Sequence, residues 1–391
     1  MRMVRLQAAT LAMLIGACSA SSSAADEQAA PAPQSDNAAA QAAGGSAPRT
    51  SGRPFSSEPV ASFSTPWAMA FLPGSGVAMT NRALVSEKEG LLWLVDVASG
   101  QKQQVSRLPE NIKVAGQGGL GDVVVHPDFA GNQRVYLSFV EPGPNGTSGA
   151  AVGYGTLEMA QNGSRLNGFK VVWRQQPKVS GDGHFSHRIA FAPDGSMFVS
   201  SGDRQKMEPA QDRGGDLGKV FHLTAEGQPV GGRFHTLGHR NVLGLAFAPD
   251  GRLWAHEMGP KGGDEVNLIE AGKNYGWPQA SYGSHYEGRT IPDDHRGRGF
   301  EEPKVWWTPS ISPAGMIVYS GDLFPQWKGD ILMGALSGES LIRVDVNGAG
   351  ARKGNQWTMD ARIREVEQGP RGELYLLEDA GRLLRLEPAR G

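Results

Sequence analysis

The stretch "SGDGHFSHRIAFAPDGSMFVSSGDR", residues 180–204, places His184 and His187 just ahead of an apolar run and follows it with Gly-Asp-Arg. An imidazole takes a proton best when a carboxylate binds one ring nitrogen and leaves the other free. His184 and Asp203 are spaced so that a hairpin between them brings the two side chains together. A structural role is the commoner one for a lone histidine in such a place. No role is assigned to His187.

Three further constellations are suited to chemistry. In "LGHRNVLGLAF", Arg240 and Asn241 lie in a loop before a strand. A guanidinium fork suits carboxylates, and an amide both donates and accepts, although an ordinary polar turn reads the same way. In "EMGPKGGDEVNLIEAGKNYGWP", Gly259 and Pro260 offer main-chain carbonyls, with Asp264 and Glu265 just beyond. Hard oxygen donors of this kind suit calcium, without any EF-hand spacing. In "ARIREVEQGPRG", Arg362 and Arg364 are two apart, so on a strand they share a face. Two neighbouring guanidiniums repel unless an anion lies between them or both sit in solvent.

These groups need a scaffold of strands. From Phe55 onward one theme recurs: a short apolar strand, a Pro-Asp or Gly turn, and a second apolar strand. It appears as "WAMAFLPGSGVAMTN", "LGDVVVHPDFAGNQRVYLSFV", "RIAFAPDGSMFVSSGD", "GLAFAPDGRLWAHEMG", "AGMIVYSGDLFPQWKGDILMGAL" and "IREVEQGPRGELYLLED". The hydrophobic period is two, and no long helical pattern interrupts it. The Asp-Gly pairs at 194–195 and 250–251 signal tight hairpins. Six such units predict an all-β, six-bladed β-propeller, in which each small sheet buries its faces against its neighbours. A sandwich or a pair of barrels is the alternative. Propellers place their sites on loops at one end of the channel, where the odd polar segments fall.

Composition agrees with many strands and turns: 54 glycines, 25 prolines and nine tryptophans in 391 residues. A net charge of −2 gives no electrostatic footprint for nucleic acid. The N-terminus, "MRMVR" and then "LQAATLAMLIGA", reads as a secretory leader over residues 1–17, too short to remain as a membrane span. "LIGAC" resembles a bacterial lipobox, with Ile15 where leucine is commoner, so Cys18 is expected to carry lipid. An ordinary leader with a chance cysteine is the alternative. Cys18 is the only cysteine, which excludes a disulfide framework. Residues 18–52, rich in Ala, Ser, Pro and Gln, lack the apolar side chains that offset ordering entropy and are read as a tether to a folded domain over 53–391. The expected location is the periplasm or outer membrane of a Gram-negative bacterium. No later stretch is long and apolar enough for a transmembrane helix.

Taken together, "GQGGLGDVVVHPDF", "GHF" before a strand ending in "GDR", "GHRN", "GPKGGDEVN", "KNYGWP", "PSISPAGMIVYSGDLFPQWKGD" and "RIREV" resemble, in order and spacing, the soluble quinoprotein glucose/sorbosone dehydrogenase family. The closest match is to its periplasmic aldose sugar dehydrogenases. The resemblance runs from about Pro54 to the C-terminus. It implies pyrroloquinoline quinone (PQQ) and calcium as cofactors, an aldose oxidised at C1 to a lactone, and a quinone or cytochrome as electron acceptor. By position it implies that His184 is the base and Asp203 its orienting carboxylate. Gln117, Arg240, Asn241 and Tyr286 would surround the cofactor, and Arg362 and Arg364 would face its carboxylates. Gly259 and Pro260 would give carbonyls to the calcium that touches PQQ, and Glu265 and Tyr275 would belong to a second, structural calcium site.

Two positions depart from the family. Ser337 stands where close relatives carry a lysine toward the cofactor, so one cationic contact is missing or supplied otherwise. His187 stands where small residues are usual, which is expected to narrow the substrate entrance or alter the acceptor side. Two other functions fit a propeller: a calcium-dependent lactonase-type hydrolase, which needs a carboxylate-rich channel floor, and a non-catalytic binding propeller. No dinucleotide-binding fingerprint is present.

Overall fold

The computed structural model describes residues 50–74, 81–160 and 163–389. The leader and nearly all of the predicted tether lie outside these residues. Six four-stranded antiparallel sheets follow one another around a central channel. Their innermost strands are Pro66–Phe71, Leu120–Val125, Ser186–Phe191, Val242–Phe247, Pro313–Val318 and Ile363–Gln368. Each belongs to one of the six repeats seen in the sequence. Blades one and two are also joined at their rims, where Val105 and Ser106 pair in parallel with Ser164 and Arg165.

The ring is closed by the N-terminal strand Phe55–Ser62, which supplies the outer strand of blade six by pairing antiparallel with Arg382–Pro388. Phe55 anchors it, buried edge-on against Trp357 (centroids 5.6 Å apart) and Trp327 (6.4 Å). The last blade therefore contains both ends of the domain. Thr50 already donates its N–H to the Gln356 carbonyl (3.0 Å) on blade five.

The hydrophobic core is not central. Six apolar clusters lie between neighbouring blades, one at each junction around the ring. Met197, Val199 and Phe221 of blade three pack on Tyr136, Val152 and Trp173 of blade two, for example. No sheet covers its own faces, so blade stacking is what removes this area from water. The predicted turns form: Gly195 and Gly251 adopt φ of 83° and 84°, and the carboxylates of Asp194 and Asp250 accept from the N–H groups of Ser196 (2.9 Å) and Arg252 (3.1 Å).

Two local devices recur and shape the channel mouth. Every innermost strand slips register with its neighbour in its first half, as between Ser186 and Ile189 or Ile363 and Glu365. Such bulges re-aim side chains. In five blades the second strand also carries an acid at or just past its last residues, namely Glu87, Glu141, Asp203, Glu257 or Asp379. Glu257 accepts from the Arg240 N–H (2.6 Å) and Glu87 from that of Thr65 (3.3 Å), tying down the loop that precedes each innermost strand.

Candidate functional site

The residues singled out in the sequence converge on one end of the channel, where the innermost strands begin. Two cavities open there, of about 470 and 750 Å³. Gln117, Asn241, Met258 and Ser312 line both, so the two form one basin. Arg362 and Arg364 lie on its first side. His184, Arg240, Gly259, Pro260, Tyr286 and Ser337 lie on its second.

His184 and Asp203 meet as the hairpin spacing predicts. Nδ1 of His184 is 2.7 Å from Oδ1 of Asp203, which also accepts from the Gln205 N–H (2.8 Å). The carboxylate is fully buried and its Oδ2 accepts from the Trp277 indole N–H at 2.8 Å. His184 is itself buried and held at φ 48°, its N–H bonded to the Gln117 side chain (2.7 Å). Non-glycine residues with φ near +60° cluster here: Ser186, His187, Arg204, Gln205 and Met207 adopt it as well. The strain is tolerated because the loop is clamped. Arg204, fully buried, donates to the carbonyls of Gly183 (3.0 Å) and Ser148 (2.6 Å), with its guanidinium 3.7 Å from the centre of the Phe185 ring. Burial lowers the basicity of His184, and the nearby Arg240 and Arg204 charges add to this; the Asp203 hydrogen bond opposes it without cancelling it.

Arg362 and Arg364 do share a face, and the anion between them is internal. Asp379 accepts from Arg362 Nε (2.8 Å) through one oxygen and from Arg364 Nε and Nη2 (2.9 and 2.7 Å) through the other. Burial works to raise the Asp379 carboxyl, but the two guanidiniums outweigh it and hold it below its ordinary value. Lys88 faces the same side of the basin, its ammonium hydrogen-bonded to the Gly116 carbonyl. Arg240 donates to the carbonyls of Met258 (2.9 Å) and Gly259 (2.8 Å) and, more weakly, to the Tyr286 hydroxyl (3.3 Å), while its buried Nε has no partner among the described residues. Tyr286 is 71% exposed and stands at the rim. Asn241 accepts from Ser186 Oγ (3.1 Å). Ser337 spends its hydroxyl on Ser312 Oγ (2.8 Å) and brings no charge.

Behind Arg240 lies a void of about 10 Å³ bordered by Glu257, Glu265, Tyr275 and Trp277. Burial pushes the Glu265 carboxyl well up, and the neighbouring Glu257 pushes it further. Asn267 Oδ1 and His295 Nε2, the latter 3.8 Å from Glu265 Oε1, are buried without hydrogen-bond partners among the described residues. The Tyr275 phenol turns away, donating to the Leu268 carbonyl (2.6 Å) and accepting from the Glu270 N–H (3.0 Å), so only its main chain is available to a cation. Asp264 is spent. Its two oxygens accept from Gly259 N, Ser310 Oγ, Ile311 N and Ser312 N at 2.7–2.8 Å.

His187 lines the first cavity of the basin, but as part of its buried wall. It is buried, stacked 5.1 Å from Trp67 and bonded to Ser138 Oγ (2.8 Å), and burial takes its pKa down to about 3. A bulge turns it into the wall, which the sequence parity did not reveal.

A family model described as glucose/sorbosone dehydrogenase matches residues 63–385. The chain belongs to that family. It is 38% identical over 342 residues to the aldose sugar dehydrogenase YliI of Escherichia coli K12, a match spanning 83% of this chain and 90% of that protein. Among solved structures, the apo-form of the soluble aldose sugar dehydrogenase of E. coli superposes with a TM-score of 0.80 at 36% identity, covering 86% of this chain and all of that one. The PQQ-bound form of an aldose sugar dehydrogenase from Streptomyces coelicolor gives 0.70 at 28% identity, covering 85% and 99%. These neighbours share the propeller, and membership of the glucose/sorbosone dehydrogenase family makes this chain an oxidoreductase.

The sequence did not point to Asp379, Lys88, Trp67 or Trp277. One signal was present for Asp379: like Asp203, it ends the second strand of a blade whose innermost strand is preceded by a candidate residue.

Proposed function

We propose that this chain is a PQQ-dependent aldose sugar dehydrogenase that oxidises the sugar at C1 to a lactone. The observation that carries the reading is the buried His184–Asp203 pair opening on a basin walled by Arg240, Arg362, Arg364 and Lys88. A flat, triply carboxylated cofactor suits that basin in size and charge, and the unpartnered Arg240 Nε supports an anionic occupant beside it. When bound, PQQ supplies the two-electron acceptor for the hydride that leaves C1.

The residues of the chain do the rest. Nε2 of His184 has no protein partner among the described residues and belongs to the basin wall, so it takes the proton of the C1 hydroxyl as the C1–H bond breaks. Asp203 fixes the tautomer by holding the Nδ1 proton. Arg362, Arg364 and Lys88 bind carboxylates, and Gln117, Asn241 and Tyr286 contribute polar contacts. The Gly259 and Pro260 carbonyls are hard donors for a calcium ion at the basin edge. Glu265 and the Tyr275 carbonyl suit a second calcium, because a buried carboxylate beside another is relieved by a cation. The two electrons then pass to a quinone or cytochrome. We extend the proposal to a secretory leader ending at residue 17, lipid on Cys18 and a periplasmic or outer-membrane location.

The hydrolase alternative needs several free carboxylates on the channel floor; of the three acids there, Asp122 and Glu365 are bonded to Arg188 (3.2 and 2.6 Å), which leaves Glu367. The test is reconstitution. Purified protein is given PQQ, calcium, glucose or another aldose, and an artificial dye. Dye reduction that requires both PQQ and an aldose is expected. Lactone hydrolysis without PQQ, or sugar binding without turnover, overturns the proposal.

A further inference from the structure

We infer that Trp277 is a positioning residue for the His184 base, acting through Asp203; the inference rests on the reading of His184 as the base. Oδ1 of Asp203 takes both the His184 Nδ1 proton (2.7 Å) and the Gln205 N–H (2.8 Å), and the partner found for Oδ2 is the Trp277 indole, at 2.8 Å. Without that bond the carboxylate is held through Oδ1 alone and can swing about Cβ–Cγ, which changes the angle at which it meets the imidazole. The indole cannot follow such a rotation. Its main-chain N–H is tied to the Gly238 carbonyl (3.0 Å), its carbonyl accepts from Gln211 Nε2 (2.7 Å), and its ring packs with Ala210 and Ile291. The Arg240 guanidinium lies 5.3 Å from the ring centre. One side chain thus touches the carboxylate behind the base with its edge and the basin's arginine with its face.

The indole N–H also draws charge from Asp203. Donors to a carboxylate favour its anion and weaken it as an acceptor toward its other partner. Removing the donor makes Asp203 hold an imidazolium more tightly, so His184 accepts a proton at higher pH. The other charges facing His184 are Arg240, from the loop before blade four, and Arg204, just after Asp203. Asp182, on His184's own loop, is bonded to Lys113 (2.6 Å).

The experiment reads His184 directly in the full chain, without cofactor. Isotope-labelled histidine is titrated by NMR, with the His184 resonance assigned through His184→Asn. Trp277→Phe keeps a ring beside Arg240 and removes the N–H. It is expected to raise the His184 midpoint by roughly half a unit, and to cause no such rise when Asp203→Asn is already present. If Trp277→Phe fails to fold, 3-benzothienylalanine at position 277 replaces the N–H by sulfur in the same outline. An unchanged or lowered midpoint in a folded variant, or the same rise in the Asp203→Asn background, overturns the inference. A chain that titrates as expected but reduces no dye with PQQ and calcium overturns the dehydrogenase proposal alone.

Discussion

A general base must be neutral to act, and burial beside two arginines keeps His184 from its charge. On the proposed reading, the proton it takes in turnover would be accommodated by Asp203, which holds the other ring nitrogen. Because burial and the two arginines lower the histidine's pKa below its ordinary value of about 6.5, the neutral form predominates at pH 7 and is lost as pH falls through the lowered value. The acid limb of kcat/KM is therefore expected below about 6.5, and a pH–rate profile of the reconstituted enzyme checks it; a limb above 7 contradicts the environment described. His184→Ala is expected to lower kcat by about 100-fold or more while PQQ still binds, measured by absorbance titration. On the proposed reading, Arg364→Ala would remove a charge-assisted contact to the cofactor worth about 1.5–3 kcal/mol, so PQQ affinity is expected to fall by roughly tenfold or more, read by calorimetry. The positions of these two residues were legible from hairpin spacing and strand parity, whereas their roles came only from the family resemblance. Trp277 was not, since it reaches Asp203 through a contact set by tertiary packing across 74 residues of chain; Asp379 occupies the same hairpin position as Asp203, and only that positional parallel marked it.

At the scale of the element, the site is a consequence of where strands begin and how they slip. Asp-Gly turns and period-two runs made the hairpins legible, and with them the pairing of His184 with Asp203. Bulges leave no comparable mark. The slip in blade three sends His187 into the wall beside Trp67, where strand alternation alone gave it no assignable side. That packing makes a demand on the neighbouring blade. Gly121 lies at the bulge of blade two, and a Cβ there overlaps the His187 imidazole, which Ser138 and Trp67 hold in place. Gly244 meets the His256 ring of its own blade in the same way. Gly121→Ala is expected to destabilise the fold by about 1–3 kcal/mol through overpacking and to weaken PQQ binding, because Trp67 lines the basin. Thermal melting and a binding titration check both; a variant that melts like the parent shows that His187 yields without cost.

Across the whole molecule, six blades were legible from six repeats, but closure was not: nothing local in "FSSEPVAS" says that it pairs with the last strand of the chain. The channel was equally hidden, because its charges come from three blades. Arg188 sits at its centre with its guanidinium 4.2 Å from the Trp67 ring centre, bonded to Asp122 and Glu365, with Glu367 nearby in the same cavity. Three carboxyls around one guanidinium cannot all ionise cheaply where water is scarce. Burial raises Glu365 first, Asp122 adds to it, Arg188 only partly offsets both, and the carboxyl is pushed up to about 7. The unfolded chain releases that proton near 4.3. The folded state therefore binds it more tightly, and the resulting stability is complete below about 4.3 and lost as pH rises through about 7. The buried, neutral His187 and His256 work the other way, gaining stability as pH rises toward their unfolded value, so the parent's profile alone is ambiguous. The difference from Glu365→Gln isolates the carboxyl. Between pH 5 and 8 the parent is expected to lose on the order of 2 kcal/mol relative to this variant, measured from urea unfolding midpoints at each pH. Parallel profiles for the two proteins place the Glu365 proton elsewhere, and the channel then carries its full negative charge beneath the basin.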